Sequence, residues 1–341
     1  ELSLGSFRLL DLPRLWRELQ NLNGKLTIHR GLATWGEKLV PLDRFRKAAA
    51  KAGRSLAPAE REAAIRSHQS LAADSTPVEG PYSRIAVFGG IYSNHYALAA
   101  LLEAAARCGA EAIYCLGDLG AFGPNPEKVW PLLEQGGVLS IQGNYEESLA
   151  AGREDCNCGY TDPWDNHFAR ISYQYTEKSC SPGFKSWMGA VPRRRRVRVG
   201  DRELLLVHGS PRRINEFLFR STSPEAFLEV LLDQNGCDGL LCTHTGLHWH
   251  RRLLSGRDVV NVGVIGRPAN DGQPLVWFAF LEAREDGLGV ELVPLAYDHQ
   301  ALAAEMREER LPEEFVETVL TGWWTTCLEI LPARERAASR F

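Results

Sequence analysis

The stretch AIYCLGDLGAFGPNP, residues 112–126, is the part of the sequence that decides the fold. It opens with a short run of apolar residues, which favours a buried β-strand, and the run stops at Gly117 and Asp118. Open α/β sheets bind their ligands just beyond the carboxyl ends of their strands. The stretch therefore predicts a strand that carries a functional carboxylate at its end.

The same arrangement recurs on both sides of this stretch. Apolar residues at helical spacing predict helices over 97–108 and 126–134. Residues 277–295 are predicted to contain a closing hairpin. Strands that alternate with helices are typical of βαβ units, so the predicted fold class is α/β. Apolar runs that stop at polar or glycine residues predict further strands over 85–88, 138–141, 203–207, 239–242 and 259–262.

Composition and spacing distinguish three parts of the chain. Residues 1–80 are predicted to form an N-terminal helical extension and linker, residues 81–298 the α/β domain, and residues 299–341 a C-terminal helical segment packed on it. The polar segment 74–80, which carries Pro and Gly, is predicted to be the linker. Within the extension, apolar residues at helical spacing predict helices over 12–19, 42–50 and 59–71.

Composition also narrows the class of protein. With 341 residues, of which 44% are hydrophobic, the chain can bury a large core. A formal net charge of −4 argues against binding to nucleic acid by overall charge, although a local basic patch leaves nucleic acid open as a partner. No apolar run reaches the length of a membrane span, so we expect no membrane association and a cytoplasmic location. The cysteines, Cys156 and Cys158 included, are expected to be reduced thiols.

Four side chains that follow predicted strands form a candidate metal site. They are Asp118, Asn144, His208 and His244. One carboxylate, one amide oxygen and two imidazoles make a ligand set suited to Zn, Mn, Fe or Ni. Each residue alone is more often a cap or a turn residue, so the hypothesis depends on the four occurring together at strand ends.

The motifs around these residues resemble those of the calcineurin-like metallophosphoesterases, in particular a compact bacterial and archaeal phosphodiesterase-like branch. The resemblance covers residues 84 to about 295 and implies a four-layer sandwich of two stacked mixed β-sheets flanked by helices. It is carried by GDLGAFGPNP from Gly117, GNYE from Gly143, VHGSP from Val207, HT from His244, and NVGVIGRPANDG from Asn261.

The resemblance implies that this sequence keeps the ligands of one metal and lacks those of the other. In that family two metals share an Asp, which corresponds to Asp118, and the second metal also binds residues that correspond to Asn144, His208 and His244. The first metal requires an Asp and two His at positions where this sequence has Gly90, Tyr92 and Gly246. We therefore expect one divalent transition metal per chain, bound by the complete set.

Further residues receive roles from the same resemblance and from their chemistry. Catalytic roles are assigned to Asp118, Asn144, Tyr145 and His208, where Tyr145 occupies the place of a histidine that often protonates the leaving group in the family. A phenol is a weaker acid than that histidine near neutral pH. Arg212, His248 and His250 are assigned to substrate binding. Other candidates for rebuilding the first metal site are Tyr92, Asn94, His95, Asp165, His167, His248 and His250.

Two functions from different classes are compatible with these residues. The favoured one is a metal-dependent phosphoesterase that hydrolyses phosphomonoesters or phosphodiesters by a metal-bound hydroxide and acts on a phosphorylated small molecule or nucleotide-like substrate. The alternative is a catalytically degenerate relative that binds a phosphorylated ligand or a protein partner. A third possibility is a different metal chemistry built on Tyr92 or the cysteines. The oligomeric state is left open.

The N-terminal extension is expected to pack on the domain, because Trp16, Leu19, Trp35 and Phe45 are too apolar for a disordered tail. Limited proteolysis should therefore leave residues 1–80 attached under conditions that digest the urea-denatured chain. Rapid cleavage before residue 80, with unchanged stability of the remaining fragment, would contradict this expectation.

Overall fold

The chain divides into two units, residues 1–75 and residues 76–341. A computed structural model describes residues 76–338 and, in the first unit, the backbone of three strands: β1 Leu26–His29, β2 Leu32–Trp35 and β3 Lys38–Pro41. These strands pair in antiparallel fashion in the order β1-β2-β3 and are not predicted by the sequence patterns. The helices predicted over 12–19, 42–50 and 59–71 lie outside the described residues.

The second unit contains eleven strands and nine helices in the part that the structure describes. The strands are β4 Val78–Tyr82, β5 Arg84–Phe88, β6 Ala112–Cys115, β7 Leu139–Ser140, β8 Arg195–Val199, β9 Arg202–Leu206, β10 Gly239–Cys242, β11 Trp249–Arg252, β12 Asp258–Asn261, β13 Val276–Arg284 and β14 Gly287–Leu295. The helices are α1 His95–Arg107, α2 Val129–Gln135 with a 3₁₀ turn at Pro126–Lys128 before it, α3 Asn144–Ala150, α4 Pro163–Ser179, α5 Pro182–Ala190, α6 Glu225–Asn235, α7 His299–Glu308, α8 Glu313–Thr321 and α9 Ala333–Ala337.

The strands of this unit form two mixed sheets. The five-stranded sheet has the order β14-β13-β5-β6-β7, with parallel pairing between β5 and β6 and between β6 and β7. The six-stranded sheet has the order β11-β12-β10-β9-β8-β4, with β9, β10 and β12 parallel to one another. Each sheet thus has a parallel centre, whose strands all present their carboxyl ends at one edge.

Alternation along the strands decides which side chains face the other sheet. Successive side chains of a strand point to opposite faces. Ile85 and Val87 of β5 pack in one buried cluster with Leu204 and Leu206 of β9 and with Leu241 of β10. Because this cluster draws on both sheets, it forms the core between them.

The intervening residues of the same strands pack against helices. Ala86 and Phe88 belong to a cluster with residues of α1, α4, α7 and α8, whereas Leu205 and Leu240 pack with α6. The order of layers is therefore helices, five-stranded sheet, six-stranded sheet and helix. The predicted α/β fold, with two stacked mixed sheets flanked by helices, is confirmed.

One predicted boundary differs from the structure. The segment 74–80 is predicted to be a linker, but Val78–Tyr82 forms the strand β4, at the edge of the six-stranded sheet. An edge strand tolerates the proline and glycine that mimic a linker, because one side of its backbone needs no partner strand. No helix among the described residues has both the length and the apolar character needed to cross a bilayer.

Helix α7 should contribute to stability because Leu302 is fully buried in the cluster on the outer face of the five-stranded sheet. Leu302→Ala removes buried methyl groups and leaves a cavity, so we expect the free energy of unfolding in urea to fall by about 2–5 kcal/mol. The control is Leu254→Ala, because Leu254 is 96% exposed, and it should change the value by less than about 0.5 kcal/mol. Equal values for the two variants would show that α7 does not pack on the sheet.

Candidate metal centre and its cavity

The four predicted metal ligands meet at the carboxyl edge of the two sheets. Asp118 follows β6, Asn144 opens α3, and His208 and His244 follow β9 and β10. The Nε2 atom of His208 lies 3.3 Å from Asp118 Oδ2, 3.1 Å from Asn144 Oδ1 and 3.0 Å from His244 Nδ1. The structure thus brings together residues from both sheets that are far apart in the sequence.

The hydrogen bonds around this group leave its lone pairs pointing inward. His208 Nδ1 lies 2.6 Å from the carbonyl oxygen of Leu116 and donates to it, so Nε2 of the neutral ring carries the lone pair. Asn144 donates through Nδ2 to the carbonyl oxygen of Cys156 at 2.8 Å, which leaves Oδ1 facing His208. Without a proton or a cation, the lone pair of His208 would face two oxygen atoms that also carry lone pairs.

These residues fit a transition-metal ion. Asp118, His208 and His244 each offer a buried ligand atom, and the three atoms lie within 4.8 Å of one another. Nε2 of His244 is buried and has no hydrogen-bond partner in the described part of the chain. Carboxylate and imidazole donors suit Zn, Mn, Fe or Ni, and the oxygen of Asn144 completes four donors.

Electrostatics keeps the ligands in forms that can bind a cation. Burial raises the pKa of Asp118, but the neighbouring His208 outweighs this effect and the net shift is downward. Burial and the nearby His208 lower the pKa of His244 to about 3, so its ring is neutral at pH 7. Burial also lowers the pKa of His208, but Asp118 outweighs it and the net shift is upward. Protons therefore compete with a metal ion chiefly at His208.

The loops that carry the ligands adopt unusual backbone conformations. Asp118 and His244 have φ of 59° and 67°, in the left-handed region that non-glycine residues rarely occupy. Such residues cluster at functional sites and cost about 1–3 kcal/mol each. Gly117 allows the close approach of the loop after β6 to the start of α3, since a Cβ there would lie 2.2 Å from the amide nitrogen of Gly143.

A small cavity opens beside the metal group. Its volume is about 60 Å³, which is room for one small group such as a phosphoryl group. Asp118 and His244 form part of its wall, and the buried side chain of Arg267 forms another part. Most of the remaining wall consists of aromatic rings, contributed by Tyr92, Phe122, Tyr145, Tyr160, Phe168, Phe217 and Phe315.

Tyr145 lies in this wall next to the metal group. Its amide N–H donates to Asp118 Oδ1 at 3.3 Å, and its hydroxyl lies 3.0 Å from Ser172 Oγ. Burial raises the pKa of the phenol well above its usual value. When Ser172 Oγ is the donor in this contact, the hydroxyl of Tyr145 can donate a hydrogen bond into the cavity, but the phenol is a poor proton donor in the acid–base sense.

Other side chains fill the space around the positions of the missing first-metal ligands. A Cβ on Gly246 would lie 2.8 Å from the ring of Trp324 and 3.1 Å from Nη2 of Arg267. A Cβ on Gly90 would lie 2.7 Å from Val264 and 2.8 Å from the ring of Tyr92. A histidine or aspartate therefore could not be restored at either position without displacing these groups.

The residues predicted to bind substrate do not line the cavity. Arg212 is exposed and donates through Nε to Glu216 at 3.0 Å. The ring of His248 stacks on Trp277 at 3.8 Å between centroids, and burial lowers its pKa to about 4. His250 lies 2.7 Å from Asp258, and both histidines border a different groove of about 800 Å³. These three residues follow the metal motifs closely in the sequence, but their side chains lie outside the cavity wall. The prediction that they bind substrate there is therefore not supported by their positions.

Of the alternative first-metal candidates, only Tyr92 lines the cavity. Asn94 caps α1 and donates to the carbonyl oxygen of Ile265, and His95 lies 3.5 Å from Glu305. Asp165 accepts the amide N–H groups of the C-terminal residues Cys327 and Glu329, and the ring of His167 contacts Phe168. Burial, the largest influence on Tyr92, raises the pKa of its phenol, which opposes binding as a phenolate.

Cys156 and Cys158 form a disulfide, so the expectation that all cysteines are reduced thiols is wrong for this pair. Both residues lie beside the metal group, because Asn144 Nδ2 contacts the carbonyl oxygen of Cys156 and lies 3.4 Å from Cys158 Sγ. The residues that follow, including Tyr160, and helix α4 supply one wall of the cavity.

Two residues of the site are not predicted by the sequence patterns. Glu146 is fully buried and accepts the amide N–H groups of Asp118, Leu119 and Gly143 at 2.7, 2.8 and 2.7 Å. The sequence could have indicated this role, because a glutamate at the third position of a helix commonly accepts a hydrogen bond from the cap residue. Arg267 lies within the motif NVGVIGRPANDG, but the motif does not indicate that its side chain reaches the cavity.

Comparison with known proteins places the motifs in a family. Residues 84–286 match the sequence model of the calcineurin-like phosphoesterase superfamily domain. An uncharacterized protein of Methanocaldococcus jannaschii is 24% identical over 254 residues, which are 70% of this chain and 98% of that protein. A metallophosphoesterase from Sphaerobacter thermophilus is 24% identical, with 70% and 98% coverage and a TM-score of 0.54. A hypothetical protein from Pyrococcus horikoshii is 22% identical, with 71% and 99% coverage and a TM-score of 0.60. These likenesses show the fold.

The metal group should bind one transition-metal ion per chain, because one ligand set is complete and the positions of the other are filled. His244→Ala removes one of the two nitrogen ligands and should therefore lose most of the metal in elemental analysis. His299→Ala, at the start of α7, is the control and should keep it. Two tightly bound ions per wild-type chain would contradict the prediction.

Proposed function

Because this chain belongs to the calcineurin-like phosphoesterase superfamily, we propose that it is a metal-dependent phosphoesterase that works with one divalent transition metal, Mn, Zn, Fe or Ni. The observation that carries the proposal is the convergence of Asp118, His208 and His244 beside a cavity of phosphate size. Its substrates are phosphate monoesters or diesters of a small molecule or a nucleotide-like compound. A cytoplasmic location is part of the same proposal.

Asp118, Asn144, His208 and His244 would hold the metal, which when bound supplies Lewis acidity toward a phosphate oxygen and toward water. The residues themselves prepare the site. The carbonyl of Leu116 orients His208, and the amide N–H of Tyr145 holds Asp118. Fixed donors and acceptors of this kind need no rearrangement when the substrate arrives.

The cavity accounts for the rest of the proposed mechanism. Its aromatic walls exclude water from the phosphoryl group, which strengthens each electrostatic contact inside. The hydroxyl of Tyr145 would donate a hydrogen bond to the leaving oxygen. Because burial raises the pKa of this phenol, full transfer of its proton is unfavourable. A volume of about 60 Å³ admits the phosphoryl group and leaves the larger part of an ester outside.

A second function is a non-catalytic relative that binds a phosphorylated ligand. The filling of the first-metal positions by Tyr92, Trp324 and Arg267 favours it, because a two-metal clamp on the reacting oxygens cannot form there. The same metal group and cavity would then serve recognition alone. Turnover of esters by the metal-loaded protein separates the two functions.

Activity should be slow and should depend steeply on the leaving group. With only a weak acid at Tyr145, nitrophenyl phosphodiesters should react faster than alkyl esters, because a nitrophenolate leaves without a donated proton. Tyr145→Phe should therefore lower the rate with alkyl esters more than the rate with nitrophenyl esters. The measurement is kcat/KM of the metal-loaded protein for both classes.

Asp118→Ala is the matched negative variant for these assays. It removes the only carboxylate of the metal group and should abolish hydrolysis of both classes. If the metal-loaded wild type hydrolyses no ester above the level of Asp118→Ala, the enzyme function fails and the binding function replaces it.

A further inference from the structure

Arg267 is a buried cation in the loop after β12. The residue is 5% exposed, and its guanidinium lies over the ring of Trp324, with 3.6 Å from Cζ to the ring centroid. The centroid of the Tyr92 ring lies 5.9 Å from the same Cζ atom, and the thiol of Cys327 is a further neighbour. These contacts hold the guanidinium at the wall of the cavity.

The charge of Arg267 has no carboxylate partner within 4.0 Å in residues 76–338. Its Nε atom is buried and lacks any hydrogen-bond partner there. Arg196 is equally buried, but its charge is balanced by a carboxylate, since its guanidinium lies 2.6 Å from Glu203. A buried charge without a counter-charge is unfavourable, and the deficit is removed when an anion binds to it.

The position of Arg267 coincides with the missing half of the metal centre. Nη2 lies 3.1 Å from the point where the Cβ of residue 246 would stand, and residue 246 is one of the three lost ligand positions. Tyr92, which occupies a second lost position, packs beside the same guanidinium. A fixed positive charge therefore stands next to the complete ligand set, on the side where the first metal would have supplied charge.

We propose that the guanidinium of Arg267 is an anion subsite that binds two oxygens of the substrate phosphoryl group in place of the first metal. The inference rests on the proposed function for the identity of the anion. The planar fork of an arginine matches the spacing of two phosphoryl oxygens, and an ammonium group does not. The aromatic contacts hold the fork so that it need not reorganise on binding. Arg267, and not Arg212, is then the residue that selects a tetrahedral oxyanion.

The test uses inorganic phosphate as the probe and metal-loaded full-length protein. Calorimetry should show that Arg267→Gln binds phosphate at least tenfold more weakly than the wild type, while elemental analysis still finds one metal per chain. Arg107→Gln is the control, because Arg107 lies on the exposed surface of α1, and it should bind phosphate as the wild type does. Arg267→Lys keeps the charge without the fork and should also bind at least tenfold more weakly.

Each outcome decides the proposal. Unchanged phosphate affinity in Arg267→Gln would overturn it, and so would a wild type that binds no phosphate. Should Arg267→Gln not fold, Arg267→Lys decides, since unchanged affinity there would overturn binding through a fork. Loss of phosphate binding together with loss of the metal would assign Arg267 to support of the metal group and would overturn the subsite. A wild type that binds phosphate through Arg267 but hydrolyses no ester would refute the proposed function and leave the subsite standing.

Discussion

The carboxylate of Glu146 is the contact on which the site depends. It accepts three amide N–H groups, two from the loop after β6 and one from the cap of α3, and so ties the loop of Asp118 to the loop of Asn144. Burial and the nearby Asp118 raise its pKa to about 7. The three N–H donors act in the opposite direction, because they stabilise the charged carboxylate. Without this tie, the contact between the amide N–H of Tyr145 and Asp118 Oδ1 would be left to hold the loop of Asp118 to the start of α3.

The second constraint is the stacking of the two sheets. Ligands from β6 and from β9 and β10 meet only because the core between the sheets fixes the distance between their carboxyl edges. Protein cores are close-packed, so they transmit small shifts and allow few alternative arrangements. The metal group is therefore positioned by backbone and packing, and the flexible ends of long side chains have little part in it.

The sequence predicted what depends on local pattern. Strands with alternating or continuous apolar residues were identified together with the polar residues at their ends, which include all four residues of the metal group. Val78–Tyr82 was not identified, because the polar segment 74–80 with Pro77 and Gly80 is typical of linkers, and an edge strand tolerates such residues. Pairing with β8 is a long-range contact that no local pattern reports.

The residues predicted to bind substrate also show the difference between local pattern and long-range contacts. Arg212 and His248 lie near the motifs in sequence, but Glu216 and Trp277 hold their side chains elsewhere. Arg267 reaches the cavity because Trp324, contributed by the segment after α8, supports it. The direction of a side chain depends on such distant neighbours, and the motif alone does not contain them. The disulfide between Cys156 and Cys158 was also beyond the sequence, since cysteine spacing does not report the state of the thiols.

Support of the cavity from the C-terminal segment bears on how members of the family should be compared. The match to the family ends at residue 286, but Phe315, Trp324 and Cys327 all border the cavity or hold its cation in place. A protein trimmed to the shared region would keep the metal ligands and lose this wall. Ligand binding measured on such a fragment would therefore leave out the contribution of this wall.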